Sequence, residues 1–357
     1  MAHASNHSVQ QESMSGKKAA IFLVIFLIIA AAGLSYVKWW PYYQKTFLAA
    51  ATHSIGPSIL GEHASSTPSW HAAWSYAVTY FNSVWKAAVL GILLGSLIQV
   101  LLPAHWLLKV LGKTSFGSTA IAGLAAVPGM MCTCCAAPMA VGLRKKNVSV
   151  GASLAFWLGN PTINPATLIF MTFVLSWKFT LIRLFFGLIL TFGVSYLANR
   201  FAKDTKPLDM EQVISHTEEN QPTGSFFTRW AKALGTMLLY IVPAYILSVL
   251  LLGFVSVWLF PNLSGAAAVG ILAVIGFAIT GMLFVIPTAA EIPIIQTLMS
   301  FGLGGGPAAA LLVTLPAISL PSLLIVGRSF PKKVLLFVVS SVVVLGILSG
   351  LAGMLIL

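Results

Sequence analysis

Apolar runs long enough to cross the hydrocarbon of a bilayer recur along nearly the whole chain, with most Lys and Arg residues at their ends. A helix crossing ~30 Å of hydrocarbon needs about 20 apolar residues, because only its own backbone can satisfy its N–H and C=O groups there. The runs read as Ala19–Val37, Trp74–Leu102, Val148–Leu175, Phe179–Ala202, Trp230–Phe260, Gly265–Ile286, Pro307–Val326 and 334–357. With 58% hydrophobic and 8% charged residues, a soluble domain is excluded. A net charge of +12 would draw nucleic acid in a soluble chain. Here the basic residues set topology, so the expected partner is the lipid bilayer and no nucleic acid.

Lys17 and Lys18 precede the first run, which places the N-terminus in the cytoplasm. Residues 38–72, with Pro41, Pro57 and Pro68, read as an outer-face loop with an interfacial helix. The segment 116–143 carries breaks at Pro128 and Pro138, follows Lys109 and Lys113, and is closed by Arg144-Lys145-Lys146. Basic residues at both ends make it a re-entrant hairpin that enters from the cytoplasm and returns there. Residues 203–225 hold five of the eight acids, too polar for a bilayer, and read as a cytoplasmic linker. In the second half, 260–290 and 292–327 are free of charge, so a hairpin broken at Pro287–Pro293 opens toward the outer face. The C-terminus then lies in the periplasm.

The two halves repeat. Pro138 and Pro161 are 23 residues apart, as are Pro293 and Pro316, and a further proline follows each pair, Pro165 and Pro321. Trp85-Lys-Ala opens one half and Trp230-Ala-Lys-Ala the other. The expected fold is an all-α polytopic membrane protein with two inverted-topology repeats. Each repeat holds a proline-broken re-entrant hairpin and a broken helix, and one extra transmembrane helix precedes them. The divisions are 1–72 (tail, first helix and outer loop), 73–202 (first repeat), 203–225 (linker) and 226–357 (second repeat).

All three cysteines, Cys132, Cys134 and Cys135, sit in Pro128-Gly-Met-Met-Cys-Thr-Cys-Cys-Ala-Ala-Pro138. They are either small packing residues or soft ligands for a thiophilic ion; trivalent arsenic takes up to three sulfurs. Glu291 is the one carboxylate inside an apolar stretch, and such a group is a candidate carrier of a coupling proton or a structural partner of a base. In Gly159-Asn-Pro-Thr-Ile-Asn-Pro165, the side chains of Asn160, Thr162 and Asn164 either cap half-helices or line a polar path, with Ser319 and Ser322 in comparable places later. Lys86 reads as an interfacial, snorkelling residue. The seven histidines lie outside the strong spans, which removes a histidine proton relay. Gly112-Lys113-Thr114 lacks the earlier glycine of a phosphate loop, since position 107 is Leu, which argues against ATP-driven pumping.

Val127-Pro-Gly-Met-Met-Cys-Thr-Cys-Cys-Ala-Ala-Pro138, Phe156-Trp-Leu-Gly-Asn-Pro-Thr-Ile-Asn-Pro-Ala-Thr167 and Phe284-Val-Ile-Pro-Thr-Ala-Ala-Glu-Ile-Pro293 together resemble the YraQ-like predicted permeases. Their family includes the organoarsenical exporter ArsP. The resemblance implies a multi-pass permease of the bacterial inner membrane, not an enzyme, without a cofactor, that exports trivalent arsenicals or a related solute. On this reading Cys132, Cys134, Cys135, Asn160, Thr162, Asn164 and Ser319 bind substrate, the cysteines as metalloid ligands, and Glu291 carries the proton. A homo-oligomer stays open. The alternatives are a membrane thiol–disulfide redox protein, set second because the cysteines read as CxCC within an apolar break, and a passive channel for a small polar solute.

Overall fold

The computed structural model describes residues 16–59, 70–202, 225–259 and 270–357. The polar N-terminal tail, residues 60–69 of the expected outer loop, the acidic linker at 203–224 and the turn at 260–269 lie outside these. Among the described residues the chain is all helix and turn, with six helices long and apolar enough to cross a membrane. It is a multi-pass α-helical membrane protein.

The first helix does not stop at Val37. Helix α1 (Gly16–Leu34) passes through a π-helical turn, Ser35–Trp39, directly into α2 (Trp40–Thr52). The expected outer loop from residue 38 is therefore helical as far as Thr52. Pro41 lies in the first turn after the π-turn, where the wider winding absorbs its missing donor. A π-turn also turns side chains away from their ordinary helical face, and Lys38, at its heart, is buried.

The first half continues with α3 (Trp70–Leu101), α4 (Ala104–Leu111), α5 (Phe116–Ala126), α6 (Thr133–Lys145), α7 (Val150–Thr162) and α8 (Pro165–Val174). Helix α9 (Trp177–Leu188) then runs on, through a second π-turn, into α10 (Ser195–Ala198). The second half holds α11 (Phe226–Leu259), α12 (Ile271–Leu283), α13 (Glu291–Ser300), α14 (Gly305–Ala317), α15 (Leu320–Val326) and α16 (Lys332–Ile356).

Helices α5 and α6 form a hairpin whose ends lie together, because Ser149 N–H, just after α6, donates to Leu111 C=O, just before α5 (3.0 Å). Helix α7 starts at that same end, and α8 finishes at the other, where Phe173 C=O contacts His53 Nδ1 (2.7 Å). Gln296 of α13 reaches His53 C=O there as well (3.4 Å), so the α12–α13 hairpin opens at the opposite end. From it α14 and α15 run back to the first end, where Arg144 Nε meets Ser329 C=O (3.4 Å).

The prolines do not all sit where the chain breaks. Pro138 lies inside an unbroken α6; the break is Val127–Cys132, a 3-10 turn followed by Met130 with φ of 48° and an extended Cys132. Pro293 is in the first turn of α13, where the N–H that proline lacks would have no intrahelical partner. Pro161 and Pro316 each fall second from the end of a 13-residue helix, α7 and α14. Pro165 and Pro321 occupy the first two positions of the helices that follow.

Small residues let these helices meet backbone to backbone, as packing within lipid requires. A Cβ at Gly95 of α3 would lie 2.6 Å from Pro138 C=O of α6, and one at Gly91 would collide with Cys135 C=O. Gly346, Gly350 and Gly353 of α16 face Thr314, Ala310 and Ala309 of α14 in the same manner. The core lies on α6, α7 and α14, whose side chains are buried on nearly every face.

Candidate functional site

Four interruptions converge: Cys132 and Thr133, Pro161 and Thr167, Ile286 to Ala289 with Glu291, and Leu315 and Pro316 line one cavity. It is narrow, about 10 Å³, with room for about one water molecule. Carbonyls left unpaired by prolines concentrate here. Pro316 has no N–H for Leu312 C=O, and Pro165 has none for Pro161 C=O.

Arg183, one turn and a half into α9, answers both. Its guanidinium donates to Pro161 C=O (2.7 Å), Thr162 C=O (3.1 Å) and Leu312 C=O (3.0 Å). Nη1 also binds Glu291 Oε1 at 2.9 Å. Both residues are 1% exposed. A planar guanidinium with five donors is the side chain suited to such a hub. The base beside Glu291 was legible as an arginine well inside the Phe179–Ala202 apolar run, where Arg200 lies only at its end, since intramembrane charges mark function or pairing. Glu291 Oε2 and Thr167 Oγ1, both facing the cavity, have no hydrogen-bond partner among the described residues.

The cysteines divide. Cys132 is the N-cap of α6 and Cys135 lies three residues on, with their sulfurs 3.1 Å apart. Cys132-Thr-Cys-Cys135 therefore also contains a CxxC pair, which a reading as CxCC conceals. Because α6 is regular from Thr133, successive side chains turn about 100°. Cys134 points elsewhere, to Ser319 Oγ (3.1 Å), and Thr133 Oγ1 is 3.4 Å from the same hydroxyl. The three sulfurs consequently do not close on one point, and no cluster of three metal-type ligands occurs among the described residues. All three thiols are free.

The remaining candidates bond to backbone and hydroxyl groups, and Asn160 Oδ1 and Asn164 Nδ2 have no hydrogen-bond partner among the described residues. Asn164 is the N-cap of α8, its Oδ1 accepting from Ala166 N–H (3.1 Å) and Thr167 N–H (3.3 Å). Thr162 Oγ1 bonds Leu158 C=O (2.6 Å) and Thr191 Oγ1 (2.8 Å). Asn160 Nδ2 binds Phe156 C=O (2.9 Å), and its Oδ1 faces Gly129, where any Cβ would strike it. Ser319 forms a reciprocal capping box with Ser322 at the start of α15. Of these, only Ser319 touches the cysteines.

Lys38 enters from outside the two hairpins. Its ammonium donates to Tyr42 Oη and to Thr288 Oγ1, each at 3.0 Å, and stands within Coulombic reach of Cys132 and Cys135. Trp39 Nε1 anchors the same turn to Pro128 C=O (2.8 Å), beside the cysteine break.

UPF0718 protein YraQ of Escherichia coli (strain K12) is 52% identical over 326 residues, 91% of this chain and 93% of that protein. UPF0718 protein MJ0584 of Methanocaldococcus jannaschii is 21% identical over 327 residues, 74% of this chain and 90% of its own length. No solved structure matches. A family model described as a predicted permease, ArsP_1, matches residues 124–356, from just before the cysteine break through α16. The chain belongs to the ArsP_1 family of predicted permeases.

Proposed function

We propose that the chain is a secondary permease of the bacterial inner membrane that exports a thiophilic solute, trivalent arsenicals being the test case, in exchange for protons. Its two halves, 73–202 and 226–357, act as inverted-topology repeats, with the N-terminus cytoplasmic and the C-terminus periplasmic. The opposite openings of the α5–α6 and α12–α13 hairpins support the inversion. The observation that carries the reading is one cavity lined by four helix interruptions, a cysteine of the thiol pair and the acid of a buried acid–base pair. Transporters of this plan bind solute where broken helices meet.

Cys132 and Cys135 offer two soft ligands to an entering metalloid, with Cys134 and Ser319 one position aside. A proton reaching Glu291 Oε2 cancels the carboxylate's charge and weakens its hold on Arg183. Arg183 grips the ends of α7 and α14 together, so protonation loosens both broken helices at once. The narrow bore fits a closed conformation that opens alternately to either side. Asn160, Thr162 and Asn164 keep the break in shape.

Uptake of arsenite and methylarsonous acid into everted vesicles, with and without a proton gradient, tests this. Glu291→Gln should abolish uphill transport yet leave exchange, and Cys132→Ser with Cys135→Ser should remove arsenical transport. Unchanged gradient-driven uptake in either variant refutes the role assigned to that group.

A thiol–disulfide redox protein is favoured by one observation, the CxxC spacing of Cys132 and Cys135 at the first turn of α6. Thiol trapping during respiration separates the two readings, since redox cycling linked to quinone belongs to the second alone.

A further inference from the structure

Glu291 is the one acidic side chain among the described residues, and Arg183 already holds it. Lys38 is 5% exposed, and its hydrogen-bond partners, Tyr42 Oη and Thr288 Oγ1, are neutral. The Tyr42 ring, 5.0 Å from the ammonium, adds only a cation–π contact. Among the described residues two cations thus bond to residues that line the cavity, Arg183 to Glu291 and Lys38 to Thr288, against one anion, leaving one positive charge beside the thiols. A buried cation without a counter-ion is costly, and natural proteins keep such a charge where something negative meets it. Thr288, which Lys38 grips, itself lines the cavity.

We infer that Lys38 selects the charge of the solute: this cavity takes a small soft anion, carrying a full negative charge together with a sulfur or other thiophilic atom. The thiols meet the soft atom and Lys38 is the counter-ion. The inference rests on the permease reading above and narrows its substrate class. It also gives the extra N-terminal helix a task, since α1 and α2, through the π-turn, bring a positive charge to the cysteine break, whereas the basic residues of α6, Arg144 and Lys145, lie in its last turn. The strap from Trp39 to Pro128 holds that turn against the cysteine break.

The full chain reconstituted in liposomes can be offered radiolabelled thiosulfate, a small anion with a terminal sulfur, and arsenous acid, neutral at pH 7. The wild type should take up thiosulfate saturably. Lys38→Met should lose that uptake about tenfold or more, the effect of deleting one charge-assisted contact, while Lys38→Arg restores most of it. Saturable uptake of arsenous acid without any of thiosulfate overturns the inference and leaves the permease reading standing. Uptake of neither solute by the wild type overturns the permease reading for thiophilic solutes. Thiosulfate uptake by Lys38→Met at the wild-type rate makes Lys38 a strut between the first helix and the Thr288 turn. Should Lys38→Met fail to fold, wild-type thiosulfate uptake decides alone.

Discussion

Arg183 shows how one side chain can stand in for missing backbone. Two of its carbonyl partners, Pro161 and Leu312, are the acceptors that Pro165 and Pro316 leave unpaired, and its fourth contact is the sole described acid. Replacing Arg183 by Met strands Glu291 and these carbonyls, with an expected loss of about 3–5 kcal/mol. Thermal unfolding of the purified protein measures it. Removing both charges, Arg183→Met with Glu291→Leu, should recover a large part, because a well-packed apolar pair spares the desolvation of two ions. A variant pair no more stable than Arg183→Met would show that the carbonyl contacts dominate. At the Arg144 end, burial and then the neighbouring Arg229 charge pull the Lys146 pKa down to about 8 from 10.5. A lysine whose folded pKa is depressed destabilises while it is charged, and the unfolded chain binds the extra proton. Stability should therefore rise between about pH 8 and 10.5 and flatten in Lys146→Gln, as read by melting temperature.

Among the elements, both hairpins turn by the same device. Met130 and Ala289 take left-handed φ values of 48° and 70° shortly before α6 and α13 begin. Such a conformation costs a non-glycine residue about 1 kcal/mol and is held by its surroundings. Ala289→Gly should accordingly melt within ~1 kcal/mol of the wild type, whereas Ala289→Val should cost more, since β-branching and a left-handed φ are incompatible. Helix contacts built on glycine are less forgiving. Gly95→Leu would force α3 off the backbone of α6 at Pro138, so a loss of at least ~1–3 kcal/mol is expected, together with reduced solute uptake. A wild-type melting temperature in that variant would contradict the close approach. These breaks were only partly legible in the sequence. Proline marks where a helix loses a donor, yet Pro138 stays inside α6 because the actual turn is made by Val127–Cys132. Pro161 and Pro316 were better guides, as each ends its helix one residue later.

At the scale of the molecule, two hairpins opening at opposite ends carry their tips into a shared cavity, and the first helix clasps that cavity from the side. A pore lined by polar side chains was the natural expectation from Asn160, Thr162, Asn164 and Glu291. Thr162 Oγ1 and Asn164 Oδ1 bond within the fold, and the lining atoms without a hydrogen-bond partner among the described residues are Glu291 Oε2 and Thr167 Oγ1. Apolar runs and their basic ends suffice to decide an all-helical, multi-pass membrane chain, because the bilayer allows a long apolar segment almost nothing else. Which residues share a site was left to tertiary structure. Lys38 and Thr288 are 250 positions apart, and Arg183 and Glu291 are 108 apart. No local pattern links such pairs; packing, the π-turn that redirects Lys38 and the prolines that free carbonyls for Arg183 bring them together.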